Sequence, residues 1–257
     1  MKRKFFAIIV AVMLAVLVQA GIAVAAETNE VVIQTLTGSV VRPNEQNTVA
    51  LIGTPGENSP YFHNIRIEIR DKNGKTIQKI KPTITEGYGP SIMLGDFGAD
   101  EGLEQIFYGA STGGSGGFGY FDLFSVKNNK VRKLFDADEF NKQNRYTGRF
   151  LDNYRAEITK VIGKERYIID LSQRSQEYKD SVWTRDGKLI EPRTVDISGV
   201  NTVFPYFNYV TNNFELLVYQ RVTGLYNADG LGYVLSQQRY DKSRFETFFS
   251  GLMIYPN

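Results

Sequence analysis

The sequence predicts an all-β protein, built as an irregular repeat of β-hairpin units with a few short helices. Aromatic and β-branched runs of five to eight residues recur along the chain, and such runs are typical of strands. Over residues 65–70, three isoleucines alternate with charged residues, which is the period of a half-buried strand. Asn-Gly and Asp-Gly pairs between the runs are typical of tight hairpin turns.

Composition excludes several classes of protein. The chain has 257 residues, of which 42% are apolar and 13% aromatic, so it is unlike a disordered chain. It has no cysteine, which excludes disulfides, thiolate nucleophiles and zinc-thiolate sites. A single histidine removes most histidine-rich metal sites and leaves few candidates for a general base. We therefore favour a protein that is not an enzyme.

Residues 1–26 are predicted to be a secretory signal peptide. Lys2, Arg3 and Lys4 precede an apolar run over residues 5–18, and small residues at 23–26 offer a cleavage site. An uncleaved anchor is the alternative. Cleavage places a single β-rich domain, residues 27–257, outside the cytoplasmic membrane, secreted or in the cell envelope, with no remaining membrane span.

Removal of the signal peptide also changes the charge of the protein. It leaves 27 lysines and arginines against 28 acidic residues, a net charge of −1. Nucleic-acid binding needs a clustered basic face, so we expect no nucleic-acid partner.

The strands follow in order along the mature chain. They are predicted at residues 30–36, 48–53, 65–70, 76–80, 91–95, 104–108, 119–126, 130–134, 166–171, 180–184, 204–210, 214–220 and 232–238. Turn signals stand at residues 71–75, 127–130, 185–188 and 227–230. Short helices are weighed at residues 138–145 and 152–161, and residues 241–249 form either a helix or a last strand.

The hairpins group into four loosely similar units, at residues 48–81, 92–136, 166–192 and 204–238. Each unit is an apolar strand, an aromatic strand, a tight turn and a charged strand. Propeller blades repeat every roughly 40–50 residues. The units therefore favour a propeller-like arrangement, with a β-sandwich as the alternative.

An acidic loop lies between the strands predicted at residues 91–95 and 104–108. Asp96, Asp100 and Glu104 are regularly spaced carboxylates, and calcium takes six to eight oxygen ligands. The loop resembles the first half of an FG-GAP or VCBS-type repeat, with these residues at the first, third and last ligand positions. Gly98 and Glu101 depart from that pattern. The resemblance implies a weak structural calcium site.

The next segment extends the resemblance over residues 92–136. Its Thr-Gly-Gly-Ser-Gly-Gly run, aromatic strand and Lys-Leu-Phe-Asp end are similar to exported proteins of spore-forming bacteria. This implies export and a repeat-type β architecture. The same glycine run matches a nucleophile elbow and a dinucleotide fingerprint, but both motifs need a helix directly afterwards, and here a strand follows.

Five further residues, outside these motifs, are candidates for a binding or chemical role. His63, at the start of a strand, is interpreted as structural. The lone Trp183 favours core packing over a sugar-stacking platform. Tyr206, Tyr209 and Tyr219 form either strand packing or an exposed carbohydrate surface.

Three functions remain open. The first is an exported, non-catalytic binding or structural protein of the cell envelope, with a cell-wall glycan or an extracellular protein as partner. The second is a glycan hydrolase that uses paired carboxylates from Asp96, Asp100, Glu104 and Asp122. The third is a protein-partner or inhibitor module that presents the glycine-rich loop.

Overall fold

The described part of the chain contains fifteen antiparallel strands and two short helices, joined by turns and loops. The computed structural model describes residues 29–57, 59–114 and 116–255. The predicted signal peptide and Ser115 lie outside these residues. The strands are β1 Val31–Gly38, β2 Asn47–Pro55, β3 Tyr61–Arg70, β4 Thr76–Ile80, β5 Gly87–Gly95, β6 Gln105–Ser111, β7 Gly119–Lys127, β8 Lys130–Phe135, β9 Tyr146–Leu151, β10 Arg155–Lys160, β11 Arg166–Asp170, β12 Thr194–Asn208, β13 Asn213–Thr223, β14 Gly230–Asp241 and β15 Arg244–Ile254. The helices are α1 Ala137–Gln143 and α2 Gln176–Val182.

The all-β class is confirmed. Three of the four predicted hairpin units, at residues 48–81, 92–136 and 204–238, lie within antiparallel meanders, whereas residues 166–192 contain β11 and α2. Strands β1–β4, β5–β8 and β12–β15 form meanders of four strands, and β9–β11 form one of three. Short pairings of β3 with β5 and of β9 with β12 join the meanders into one eight-stranded and one seven-stranded sheet.

Three clusters of buried apolar side chains form the cores of the described part of the chain. One lies within the first sheet around Leu51, Ile67 and Tyr108, and one lies within the second sheet around Trp183. The third core takes side chains from both sheets, with Phe107 and Leu123 from the first and Leu216 and Val218 from the second. The two sheets therefore share a buried boundary.

Two helix expectations have different outcomes. The short helix weighed at residues 138–145 is present as α1, which Asp136 caps by accepting from the amides of Asp138 and Glu139. The second helix weighed, at residues 152–161, is absent: these residues form the turn of the β9–β10 hairpin and strand β10. A turn with positive φ at Asn153 and Tyr154 reverses the chain there, and pairing with β9 outweighs the weak helical spacing.

Two further expectations concern residues 180–184 and 241–249. The strand predicted at residues 180–184 is wrong, because Ser175 caps α2 and that helix runs to Val182. At the C-terminus the strand alternative is confirmed by β15, which pairs with β14. Among the residues described, no helix is long and apolar enough to cross a membrane.

Candidate functional site

The acidic loop separates its carboxylates rather than gathering them. Asp96 accepts a hydrogen bond from the amide of Gly98 at 2.7 Å, and Glu104 accepts from the amide of Ser39 at 2.9 Å. Within the described ranges, no three acidic or histidine side chains lie close enough together to hold a metal ion. As the loop stands, its residues do not fit a common calcium ion.

Asp100, the middle residue of the loop, is nearly buried and is engaged by three side chains of β7 and β8. Its carboxylate accepts from the hydroxyl of Ser125 and lies 3.3 Å from both Lys127 and Arg132. Asp100 therefore ties the loop to the β7–β8 hairpin.

Asp122, the fourth carboxylate of the hydrolase hypothesis, has structural partners of its own. It accepts from the amide and the hydroxyl of Thr83 at 2.6 and 2.7 Å, and Lys133 lies 3.7 Å away. Each of the four carboxylates thus has a separate set of partners.

The remaining single candidates lie at different depths. Trp183 is buried, and its indole N–H donates to the carbonyl of Leu151 at 2.8 Å, which confirms core packing. His63 is exposed, with Nδ1 3.3 Å from the Glu86 carboxylate. Tyr206 donates to the buried Glu215, and Tyr209 stands exposed in the β12–β13 turn.

Tyr219 belongs to a row of aromatic rings across the outer face of β12–β15. Phe204, Tyr219, Tyr233 and Tyr255 meet edge to face, with neighbouring ring centroids 5.7 to 5.8 Å apart. We call these four residues the aromatic row. Phe204 is 54% exposed and Tyr255 40%, whereas the two middle rings are half-buried.

Strand alternation explains why the row faces outward. Val203, Val218 and Val234 are buried, so the residues that follow or precede them must point to the opposite face. The run Glu-Leu-Leu-Val-Tyr in β13 places apolar side chains on both faces of the strand. This run is the signal in the sequence that could have located the row, because a strand with one solvated face normally alternates.

The same face carries further apolar and polar side chains beside the row. Direct pairing sets Leu217 opposite Gln237, Tyr219 opposite Leu235, and Tyr233 opposite Met253. Thr202 lies opposite Tyr219 on the other side. The face therefore combines flat apolar surfaces with hydrogen-bonding groups.

The glycine-rich loop borders the β12 end of this face. Asn201 donates to the carbonyl of Gly116 at 2.9 Å, and the hydroxyl of Thr202 donates to that of Gly117 at 3.3 Å. A cavity of about 540 Å³ lies between this loop and Phe204. At Gly113, with φ +73°, a side chain would also collide with Tyr88, so glycine is required there.

The fold and this face define an antiparallel all-β protein with an exposed aromatic sheet surface, and the surface lies largely in a recognised domain. A protein-family profile described as YybI C-terminal domain matches residues 144–253. The chain is also 32% identical to "Uncharacterized protein YybI" of Bacillus subtilis (strain 168) over 218 residues, which cover 85% of this chain and 83% of that protein. The chain belongs to the YybI family.

Among solved structures, the chain is similar to Bacillus licheniformis rhamnogalacturonan lyase PL11 with a TM-score of 0.38 and 12% identity. The similarity covers 87% of this chain and 34% of the lyase, so the chain spans about a third of that protein's length. A likeness at this level carries no conclusion about fold or activity.

Proposed function

We propose that this chain is an exported, non-catalytic protein of the bacterial cell envelope that binds glycan through the outer face of β12–β15. The aromatic row is the observation that carries the proposal. Exposed apolar surface on a folded protein marks an interaction site when it is contiguous, and tyrosine suits such surfaces because its ring is apolar and its hydroxyl is polar.

The chemistry of the face favours glycan over a purely apolar partner. A pyranose ring has apolar C–H faces and hydroxyl edges. The row supplies flat rings, while Thr202 and Gln237 on neighbouring strands supply hydrogen-bonding groups. Because the meander holds Phe204, Tyr219 and Tyr233 on paired strands, binding at these rings needs little ordering of the protein.

A sedimentation assay with an insoluble cell-wall fraction tests the proposal. We expect the wild-type protein to pellet with the wall and the double variant Tyr219→Ala, Tyr233→Ala to stay in the supernatant. Tyr209→Ala is the matched control, because it removes an exposed tyrosine outside the row. The melting temperature of each variant establishes that it is folded.

Loss of wall binding in the Tyr209 variant but not in the double variant would overturn the proposal. Equal sedimentation of all three proteins would do the same. Capture of a wall protein from a fraction stripped of glycan, dependent on the glycine-rich loop, would support the protein-partner alternative instead.

Export is the second part of the proposal, and the sequence of residues 1–26 supports it. The basic start, apolar run and small-residue exit predict cleavage after Ala25 or Ala26. N-terminal sequencing of the protein from the cell exterior is expected to begin at Ala26 or Glu27. Recovery of the chain beginning at Met1, or only from the cytoplasm, would contradict export.

A further inference from the structure

A second cavity lies at the β15 end of the aromatic row. Its volume is about 660 Å³, and Tyr255, the last ring of the row, lines it. Tyr178, Tyr226 and two arginines, Arg174 and Arg221, line it as well. We call it the arginine cavity. Arg221 lies directly opposite Tyr233 in the β13–β14 pairing, so the cavity continues the face that carries the row.

One carboxylate, Asp229, lines the arginine cavity, and it is held mainly by uncharged donors. Its Oδ2 accepts from the hydroxyl of Tyr178 at 2.7 Å and from the amide of Leu225 at 2.8 Å. Arg174 is 3.8 Å from the other oxygen, beyond hydrogen-bond distance. The buried Asp229 is thus satisfied without consuming the donors of either arginine.

Both arginines keep unused donors. Arg174 donates through Nη2 to the carbonyl of Gly230 at 2.8 Å, and among the described residues its Nη1 makes no hydrogen bond. Arg221 donates to the side chain of Asn227 at 3.1 Å, and the described residues place no carboxylate within salt-bridge distance of it. A guanidinium carries five N–H donors, so each has capacity for an anionic ligand.

The charges of the cavity set the charge of the ligand. Two arginines against Asp229 leave one net positive charge among its lining residues. A single carboxylate matches this charge, and the planar guanidinium fork pairs with carboxylate through two parallel hydrogen bonds. A phosphomonoester carries about −1.5 to −2 charges and would exceed it.

We propose that the outer face of β12–β15 selects an acidic glycan and that the arginine cavity binds the carboxylate of a hexuronate unit. This inference rests on the proposed glycan-binding function. Tyr255 is shared by the row and the cavity. A uronate ring that stacks on the last tyrosines therefore places its carboxylate toward Arg221 and Arg174. A phosphodiester polymer without sugar rings has the charge but lacks the stacking surface.

Calorimetric titration with an oligouronate and with the same oligosaccharide after reduction of its carboxyl groups tests the inference. We expect the wild-type protein to bind the acidic form more tightly. Arg221→Gln and Arg174→Gln each lower the ratio of the two affinities, by about 10- to 100-fold if charge-assisted hydrogen bonds are lost. Arg244→Gln is the matched control, because Arg244 is exposed at the β14–β15 turn.

The outcomes separate this inference from the proposed function. Equal binding of both oligosaccharides, unaffected by the arginine variants but lost in the Tyr219 and Tyr233 double variant, would overturn the cavity assignment and leave glycan binding standing. Tighter binding of a glycerol-phosphate polymer than of the oligouronate would also overturn it. Failure of the wild-type protein to bind any glycan would overturn both. Two arginine variants are used because the side chain of Arg174 donates to the backbone carbonyl of Gly230, whereas the side chain of Arg221 donates to the side chain of Asn227.

Discussion

At the scale of single residues, Asp100 joins a loop to a hairpin through charge. Its side chain is 9% exposed and accepts from Ser125 while facing Lys127 and Arg132. Removal of the carboxylate leaves the Ser125 hydroxyl without its acceptor. We expect Asp100→Ala to lower the free energy of unfolding by about 1.5–3 kcal/mol, the range for hydrogen bonds to charged groups.

Urea denaturation of Asp100→Ala and Asp100→Asn measures this loss. Asparagine keeps an acceptor oxygen for Ser125 and removes only the charge, so Asp100→Asn is expected to lose less stability than Asp100→Ala. Equal stability of both variants and the wild type would contradict an anchoring role for Asp100.

The calcium site inferred from the resemblance stays a prediction. Calcium binding by Asp96, Asp100 and Glu104 would compete with the contacts that Asp100 makes with Ser125 and two cations. A rise in melting temperature in millimolar calcium, abolished by Asp100→Ala, would support such a site. An unchanged melting temperature would leave the loop as a turn held by separate contacts.

The sequence indicated the role of some single residues, but not which residues lie beside them in the folded protein. Trp183 was assigned to the core because large aromatic residues in short apolar runs are usually packed, and it is buried. Tyr219 was singled out, but Phe204, Tyr233 and Tyr255 were not. Their alignment depends on the register of four strands, which one strand's sequence does not specify.

At the scale of elements, strand β3 carries a buried carboxylate, Glu68, which three cations of β3 and β4 surround. Burial by itself raises the pKa of Glu68, but hydrogen bonds from Arg66, Arg70 and Lys79 outweigh it and lower the pKa from 4.5 to about 2. A carboxyl whose pKa is lower in the folded state stabilises the protein above its unfolded pKa. That stability is lost as the pH falls from about 4.5 toward 2.

Unfolding measured across this pH range tests the cluster. Glu68→Gln is expected to reduce the stability at neutral pH by on the order of 2–3 kcal/mol and to flatten the loss of stability between pH 4.5 and 2. Glu177→Gln, at an exposed position in α2, is the control and is expected to keep the wild-type profile. An unchanged profile in the Glu68 variant would contradict the assignment.

Strands and turns were predictable from the sequence where the local residue pattern agrees with the pairing of strands in the sheets. The turn at residues 71–75 has Gly74 at φ +80°, as its Asn-Gly pair predicts. The hairpin β9–β10 was missed, because its strands contain Gly148, Arg149 and Glu157 in place of a clear apolar alternation. Pairing between them is decided by neighbours in the sheet rather than by local propensity.

At the scale of the whole molecule, three of the four meanders were predictable from the sequence, and the way in which the meanders join was not. The turn signals at residues 71–75, 127–130 and 227–230 each lie between two paired strands, and such signals are a local property of the chain. The pairings of β3 with β5 and of β9 with β12 span only two residue pairs each. Such short contacts between distant segments leave no pattern in the sequence. The expectation of a single domain over residues 27–257 stays a prediction, although the third core joins both sheets.

The molecule as a whole presents one face with three neighbouring features. The glycine-rich loop borders the β12 end, the aromatic row crosses four strands, and the arginine cavity lies at the β15 end. Only the residue types of this face could be recognised in the sequence, because its continuity depends on the twist and register of the complete sheet.

Saturation-transfer NMR with a soluble cell-wall oligosaccharide tests glycan binding by this face most directly. Irradiation of the protein's aromatic protons is expected to transfer saturation to the ring C–H protons of the sugar in the wild type and in Tyr209→Ala. The Tyr219→Ala, Tyr233→Ala variant, folded as judged by its melting temperature, is expected to give no transfer. Transfer of equal strength from that variant would contradict the central claim that the aromatic row binds glycan.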